Sequence, residues 1–230
     1  MTAKDTLTQI AKEVSVCTNC ALHQTRNLSV PGEGPANAEI MLIGEGPGAN
    51  EDTQGRPFVG PAGKFLEELL AQAGLKRTDV WICNVVKCRP PMNRDPLPEE
   101  LSACSLYLER QIEAINPKII ITLGRFSMAR FIPGVTISRV HGQMRRDGDR
   151  FVIPMFHPAA ALHQGNLKPT ILADFAKLPQ LLESARKEIT KSAPQASLAD
   201  KIQVRPAPQV DAGQAVPEPN PEPPKQMKLF

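Results

Sequence analysis

The sequence contains few aromatic residues and no long apolar run. Phe, Trp and Tyr make up 4% of the 230 residues, with a single Trp and a single Tyr. No apolar run approaches the roughly 20 residues that a membrane-spanning helix needs, and the N-terminal segment has no apolar signal-peptide core. We therefore expect a cytoplasmic protein with no membrane partner. The net charge of +3 is too small to require a nucleic-acid partner and does not exclude one.

Cysteine is also scarce, and the five cysteines are an odd number that does not suggest a secreted disulfide framework. Cys17 and Cys20 form a C-x2-C pair after a predicted helix, Cys88 follows a predicted strand, and Cys104 falls in the next predicted helix. Four thiolates suit either a zinc ion or an iron–sulfur cluster, and their spacing alone does not choose between them. The alternative is that only the C-x2-C pair has a role. Cys83 lies inside a predicted strand, where we interpret it as a packed core residue.

Short apolar runs alternate with helical patterns over the first 189 residues. Four runs are typical of buried strands, at 39–44, 80–86, 118–123 and 151–156. Strands that alternate with helices form a parallel sheet covered on both faces, with functional loops at the carboxyl ends of the strands. We therefore predict an α/β fold with three layers, α/β/α, around a four-stranded sheet.

Four segments together resemble a known family: GEGPGANED at 44–52, GRPFVG at 55–60, NVVKCRP at 84–90 and HPAA at 157–160. The first of them alone could be a phosphate loop, but it lacks the Lys-Ser/Thr pair and the full G-x-G-x-x-G pattern. Over about residues 4–188, the chain resembles the family 4 uracil-DNA glycosylases. The resemblance implies a central, mainly parallel four-stranded sheet between helices. It also implies one [4Fe–4S] cluster, bound by Cys17, Cys20, Cys88 and Cys104.

The activity that the resemblance implies is hydrolysis of the N-glycosidic bond of uracil in single- and double-stranded DNA. This step opens base excision repair and leaves an abasic site, and we expect a monomer associated with the nucleoid. Two alternatives keep the fold. One is a relative that becomes covalently trapped on its product through a histidine in a basic insert after the second strand, although segment 87–94 has neither the insert nor a histidine. The other is a non-catalytic iron–sulfur protein that binds DNA.

The resemblance also assigns roles in the base pocket. His157 would donate a hydrogen bond to uracil O2, and backbone N–H groups near Gly46 would add donors. The carboxamide of Asn84 would accept from N3–H and donate to O4, which distinguishes uracil from cytosine. Phe58 would stack beneath the base, with a core phenylalanine as the alternative. Glu51 would crowd uracil C5 and exclude the methyl group of thymine.

Glu45 is a candidate catalytic residue, which would position water or balance the charge of the sugar. Classical uracil-DNA glycosylases carry an aspartate one position later, where this chain has Gly46. The alternative for Glu45 is a structural acceptor of backbone N–H groups. Leu162 would be an apolar wedge that fills the vacated base position, with a core leucine as the alternative. Five basic residues are candidates for phosphate contacts: Lys87, Arg89, Arg94, Arg125 and Arg139.

The composition changes near residue 190, where Ser, Ala, Gln and Pro become dominant. We predict a folded domain over 1–189 and a disordered Pro-rich linker over 190–225. The last five residues, 226–230, resemble the bacterial sliding-clamp-binding motif. In that motif, Gln226 would bond the partner's backbone while Leu229 and Phe230 fill an apolar pocket. A random terminal pentapeptide is the alternative.

Overall fold

The computed structural model describes residues 1–192. The last helix continues to Ser192, three residues into the segment predicted as a linker. The rest of that linker and the predicted clamp-binding motif at 226–230 lie outside the described residues. No helix in the described part of the chain is long and apolar enough to cross a membrane.

Eight helices and five strands account for most of residues 1–192. The helices are α1 (Ala3–Val16), α2 (Ala49–Gln54), α3 (Pro61–Gln72), α4 (Pro98–Ile115), α5 (Arg125–Ala129), α6 (Ile137–Val140), α7 (Pro158–His163) and α8 (Lys168–Ser192). The strands are β1 (Ile40–Gly44), β2 (Val80–Asn84), β3 (Ile119–Leu123), β4 (Arg145–Asp147) and β5 (Arg150–Met155). The sequence also indicates a long loop rich in Gly and Pro over 45–61, and the structure contains the short helix α2 within it.

The five strands form one sheet in the order β2-β1-β3-β5-β4. Four of them are parallel, as predicted, whereas β4 pairs with β5 in the antiparallel direction. The predicted count of four strands was therefore wrong by one. All three side chains of β4 are charged or polar and exposed, so the strand gives no apolar signal. A tight turn with Gly148 at φ 57° folds β4 back beside β5.

Both faces of the sheet are buried, which explains the continuous apolar runs of its central strands. One face contributes Leu42, Ile82 and Ile121 to a core shared with α3 and α8. The other face contributes Ile43 and Ile120 to a core shared with α1 and α4. The three predicted layers are thus confirmed, and they place the carboxyl ends of β1, β2, β3 and β5 along one edge of the sheet.

Candidate functional site

A cavity of about 560 Å³ lies at this edge of the sheet. Its lining contains all six residues predicted for the base pocket: Glu45, Gly46, Glu51, Phe58, Asn84 and His157. They come from the segment after β1, the last residue of β2 and the loop after β5, which the parallel order brings together. The structure therefore confirms that these residues are neighbours, while their individual roles stay predictions.

Asn84 is the last residue of β2, and it is 1% exposed. Its Oδ1 atom is buried without a hydrogen-bond partner in residues 1–192. The register of β1 and β2 places Gly44 directly opposite, where an added Cβ atom would lie 2.4 Å from this oxygen. A buried acceptor without a partner costs about 1–3 kcal/mol. A ligand with an N–H group at this position would remove that cost.

Phe58 is held in an unusual backbone conformation. Its φ is +51°, a region that bulky side chains rarely occupy. The guanidinium of Arg77 donates to the Phe58 carbonyl at 2.9 Å and also to the Pro57 carbonyl. The ring stacks on His157, with centroids 5.5 Å apart and planes 27° apart. Phe58 is 5% exposed, so it belongs both to the core and to the wall of the cavity.

Arg77 is a site residue that the sequence analysis missed. Besides the two carbonyls, it bonds Glu33 at 2.8 Å, and Glu33 in turn pairs with the exposed Arg56. Glu33 is fixed to the sheet by a two-bond bridge with Ile82 on β2. The strand that carries Asn84 and the loop that carries Phe58 are therefore connected through Arg77. No motif marks Arg77, because Glu33 and the two backbone carbonyls that it contacts are distant from it in sequence.

His157 follows β5 and caps the N-terminus of α7. Its Nδ1 atom accepts a hydrogen bond from the Ala159 N–H at 3.1 Å. The neutral ring then carries its proton on Nε2, an assignment that follows from this bond. Burial lowers the pKa of His157 to about 4, and the nearby Glu51 acts weakly in the opposite direction. At neutral pH, His157 is therefore a neutral hydrogen-bond donor through Nε2.

The carboxylate of Glu51 organises the N-terminus of α2 and the loop between α2 and α3. It accepts the backbone N–H groups of Gly48 at 3.1 Å, Val59 at 2.8 Å and Gly60 at 2.8 Å. Within residues 1–192, this carboxylate, rather than that of Glu45, is the acceptor for these backbone groups. The predicted contact of Glu51 with uracil C5 stays a prediction.

Glu45 is the first residue after β1 and lines the same cavity. Burial raises the pKa of its carboxyl group, and the negative charge of Asp95 raises it further. Arg125 lowers the pKa, although it is itself paired with Asp95. A carboxylate in a partly buried site with a raised pKa suits a general base better than an ordinary glutamate does.

Lys87 cannot contact DNA phosphates, and that prediction was wrong. Its side chain is 1% exposed, and Nζ donates to the Asn84 carbonyl at 2.8 Å and to Gln111 Oε1 at 2.6 Å. The sequence shows a lysine near converging loops, but it does not show that the side chain points inward. The four arginines, Arg89, Arg94, Arg125 and Arg139, stay predictions.

Leu162 lies on α7, lines the cavity and is 53% exposed. The alternative that it is a core leucine was therefore wrong. An exposed apolar side chain in the lining of the cavity is what a wedge requires. The wedge role of Leu162 stays a prediction.

The four predicted ligand cysteines meet at a second, smaller pocket, between α1, the loop after β2, and α4. Its lining contains Cys17, Cys20, Cys88 and Cys104. Arg26 donates to the Cys88 Sγ atom at 3.1 Å. The Lys87 backbone N–H donates to the Cys104 Sγ atom at 3.3 Å. Such N–H···S bonds are typical partners of thiolate ligands.

Burial raises the pKa of Cys20, Cys88 and Cys104, in the last case to about 11, so these thiols are protonated without a metal. In residues 1–192, no group of three or more metal-ligating side chains is already arranged around a metal position. The pocket is thus a convergence of four thiols rather than a preformed metal site. Cys83 lies apart from it and is fully buried in the core, which confirms its predicted packing role.

The fold and the cavity define an α/β protein with a buried polar site at the carboxyl ends of parallel strands. The chain matches the family model of the uracil DNA glycosylase superfamily over residues 31–178. It is 48% identical to a type-4 uracil-DNA glycosylase of Archaeoglobus fulgidus over 187 residues, which covers 77% of this chain and 94% of the relative. It is 44% identical to the type-4 enzyme of Thermotoga maritima over 187 residues, which covers 79% of this chain and 97% of the relative.

A type-5 uracil-DNA glycosylase of Thermus thermophilus is 37% identical over 114 residues, which covers 43% of this chain and 52% of the relative. The similarity to this second type is thus shorter and weaker. The chain belongs to the type-4 uracil-DNA glycosylases of the superfamily, which confirms the family that its motifs resemble.

Proposed function

We propose that the protein hydrolyses the N-glycosidic bond of uracil in DNA, as the first step of base excision repair. The observation that carries this proposal is the Oδ1 atom of Asn84 beside Gly44, which is buried and has no hydrogen-bond partner among residues 1–192. The names of the curated type-4 relatives support the same activity. The target base lies inside a duplex or a stacked strand, so it must be turned out into the cavity before reaction.

Asn84 supplies the discrimination between bases. Its Oδ1 atom accepts from uracil N3–H, and its amide group donates to O4. Cytosine has no hydrogen on N3 and carries a donor in place of O4, so both bonds would be lost. A site built to bond a polar group rejects analogues that leave its buried atoms unpaired. Phe58 supports the base from the cavity wall.

His157 stabilises the leaving group. As the glycosidic bond breaks, negative charge builds on uracil O2, and the Nε2–H group donates to that oxygen. Because the bond strengthens as the charge develops, it lowers the barrier more than it tightens substrate binding. Glu45 orients the attacking water or balances the positive charge on the sugar, from its place after β1.

We propose further that Cys17, Cys20, Cys88 and Cys104 bind one [4Fe–4S] cluster. The convergence of four thiols and the N–H donors from Arg26 and Lys87 fit an anionic iron–thiolate site. When bound, the cluster supplies iron–thiolate bonds that cross-link α1, the loop after β2, and α4. Anaerobic purification followed by iron and zinc analysis tests this assignment. About four irons per chain are expected, with loss of iron in Cys88→Ser, and stoichiometric zinc without iron would refute it.

The activity is tested by incubating the protein with a uracil-containing single strand and a matched duplex. Alkali-labile abasic product is expected, with no cleavage of the same sequence containing thymine. A denaturant-resistant adduct would favour the trapping alternative, and binding without product would favour the non-catalytic one. His157→Ala should reduce the single-turnover rate far more than the affinity for a non-cleavable analogue. Asn84→Asp should weaken the discrimination against cytosine.

We also propose that Gln226, Leu229 and Phe230 bind a sliding clamp, which would hold this monomer at nucleoid DNA. The chemistry of these residues supports the proposal. A glutamine can form hydrogen bonds to a partner's backbone, while two large apolar side chains fill an apolar pocket. Calorimetry of a peptide covering 225–230 against the purified clamp tests it, with a Leu229→Ala, Phe230→Ala peptide as control. Deleting 226–230 should abolish clamp binding and leave excision from free oligonucleotides intact. No heat or competition at high micromolar peptide would refute it.

A further inference from the structure

Lys87 is a buried cation without an anionic partner in the described chain. It is among the largest fully buried side chains of the protein. Buried charges in proteins are ordinarily paired, because an isolated charge loses its hydration. The ion pairs of residues 1–192 do not include Lys87. Its two oxygen partners, on Asn84 and Gln111, are both neutral.

The ammonium group of Lys87 contacts a residue of the base pocket. Nζ donates to the backbone carbonyl of Asn84 at 2.8 Å, the residue whose side chain offers the unpartnered acceptor. Nζ also donates to Gln111 on α4 at 2.6 Å, and Gln111 in turn donates to the Pro31 carbonyl at 2.7 Å. Lys87 therefore fixes the backbone that follows β2 against α4.

The same residue borders the cysteine pocket. Lys87 is part of its lining, its backbone N–H donates to the Cys104 Sγ atom at 3.3 Å, and the next residue is Cys88. A site with four thiolate ligands is anionic, so it would supply the negative charge that Lys87 lacks. Opposite charges in a poorly hydrated interior attract strongly.

We propose that Lys87 is a positioning residue that takes the iron–thiolate site as its counter-ion and thereby holds Asn84 in place for uracil. This inference rests on the proposed function and adds a role for the cysteine site in base recognition. A cluster could thus affect hydrolysis without transferring an electron. The negative charge of the cluster would hold the Lys87 ammonium group, and this group holds the backbone of Asn84.

The test compares Lys87→Met, which removes the charge at similar length, with wild type and with Lys64→Met at an exposed position. The measurements are iron per chain, the reduction potential of the bound cluster, and inhibition by free uracil. In Lys87→Met we expect iron loss or a more negative potential, because a nearby positive charge favours the reduced cluster. We also expect an inhibition constant for uracil raised about tenfold, the effect of misplacing one buried hydrogen bond. Lys64→Met should match wild type.

A folded Lys87→Met protein with unchanged iron, potential and uracil inhibition would overturn the inference. If Lys87→Met does not fold, Lys87→Arg is measured instead, because it keeps the positive charge. Iron content and uracil inhibition equal to those of wild type in Lys87→Arg would support the inference, and loss of both would overturn it. Wild-type protein that lacks iron or does not excise uracil would instead refute the proposed function, so the two failures are distinguishable.

Discussion

Replacing Gly44 by alanine should block the base pocket while the protein stays folded. Gly44 ends β1 opposite Asn84, and the new Cβ atom would lie 2.4 Å from Asn84 Oδ1 and 2.6 Å from Phe58 Cζ. Both distances are roughly 1 Å shorter than ordinary contacts between such atoms. The backbone itself tolerates alanine, since Gly44 is not among the residues with positive φ.

Asn84 and Phe58, the two neighbours of Gly44, cannot move away from the new Cβ atom without a large cost in free energy. Asn84 is 1% exposed, and the backbone of Phe58 is held by Arg77. A displacement of about 1 Å in a group that positions a substrate costs on the order of 100-fold in rate. Overpacking of a buried site costs about 1–3 kcal/mol in stability. We therefore expect kcat/KM for uracil excision to fall about 100-fold, with a melting temperature lowered by roughly 5 °C.

Single-turnover excision, inhibition by free uracil and thermal melting measure these effects together. Gly165→Ala is the matched control, because a Cβ atom there meets nothing within 4 Å. The control should match wild type in all three measurements. If Gly44→Ala kept kcat/KM within about threefold of wild type, the assignment of Asn84 and Phe58 to the base pocket would be refuted.

The remaining predictions concern pH, loop support and the exposed leucine. Because the pKa of His157 is about 4, against an ordinary value of 6.5, only the unfolded state gains its proton between these values. The free energy of unfolding should therefore fall as the pH drops from 6.5 to 4, and this fall should be smaller in His157→Asn. The pH profile of kcat/KM should show no titration near 6.5. The acid limb of the pH profile of kcat/KM should instead follow the raised pKa of Glu45, and it should be absent in Glu45→Gln, which has no carboxyl group at this position. Arg77→Ala should raise the inhibition constant of free uracil about tenfold. Arg56→Ala is the control, because Arg56 shares with Arg77 only the partner Glu33, and it should leave the constant unchanged. Equal effects of the two substitutions would mean that Arg77 does not act through the ring of Phe58. Leu162→Ala should slow excision from duplex more than from single strands, and an unchanged ratio would contradict a wedge.

The sequence predicts the parts of this site that follow from strand order. Asn84 lies in the apolar run at 80–86, as the last residue of β2, and His157 directly follows the run at 151–156, so a parallel sheet had to bring them to one edge. The side-chain directions could not be predicted in the same way. Lys87 was assigned to DNA because it lies near the converging loops, whereas the fold buries its side chain against Gln111. Arg77 was missed because its contacts with the loop of Phe58 are to backbone carbonyls, which leave no mark on the sequence.

The strand order β2-β1-β3-β5-β4 also has a consequence for synthesis on the ribosome. After the first pair, β1 and β2, each newly made parallel strand joins an edge that already exists: β3 beside β1, then β5 beside β3. Since domains fold as the chain emerges, the sheet can grow outward in the order of translation. The edge of β3 has no neighbour until β5 emerges, and an unpaired edge invites association with other chains. The nascent chain is therefore open to mispairing at β3 between residues 123 and 155, a window in which a chaperone that covers strand edges would have an effect.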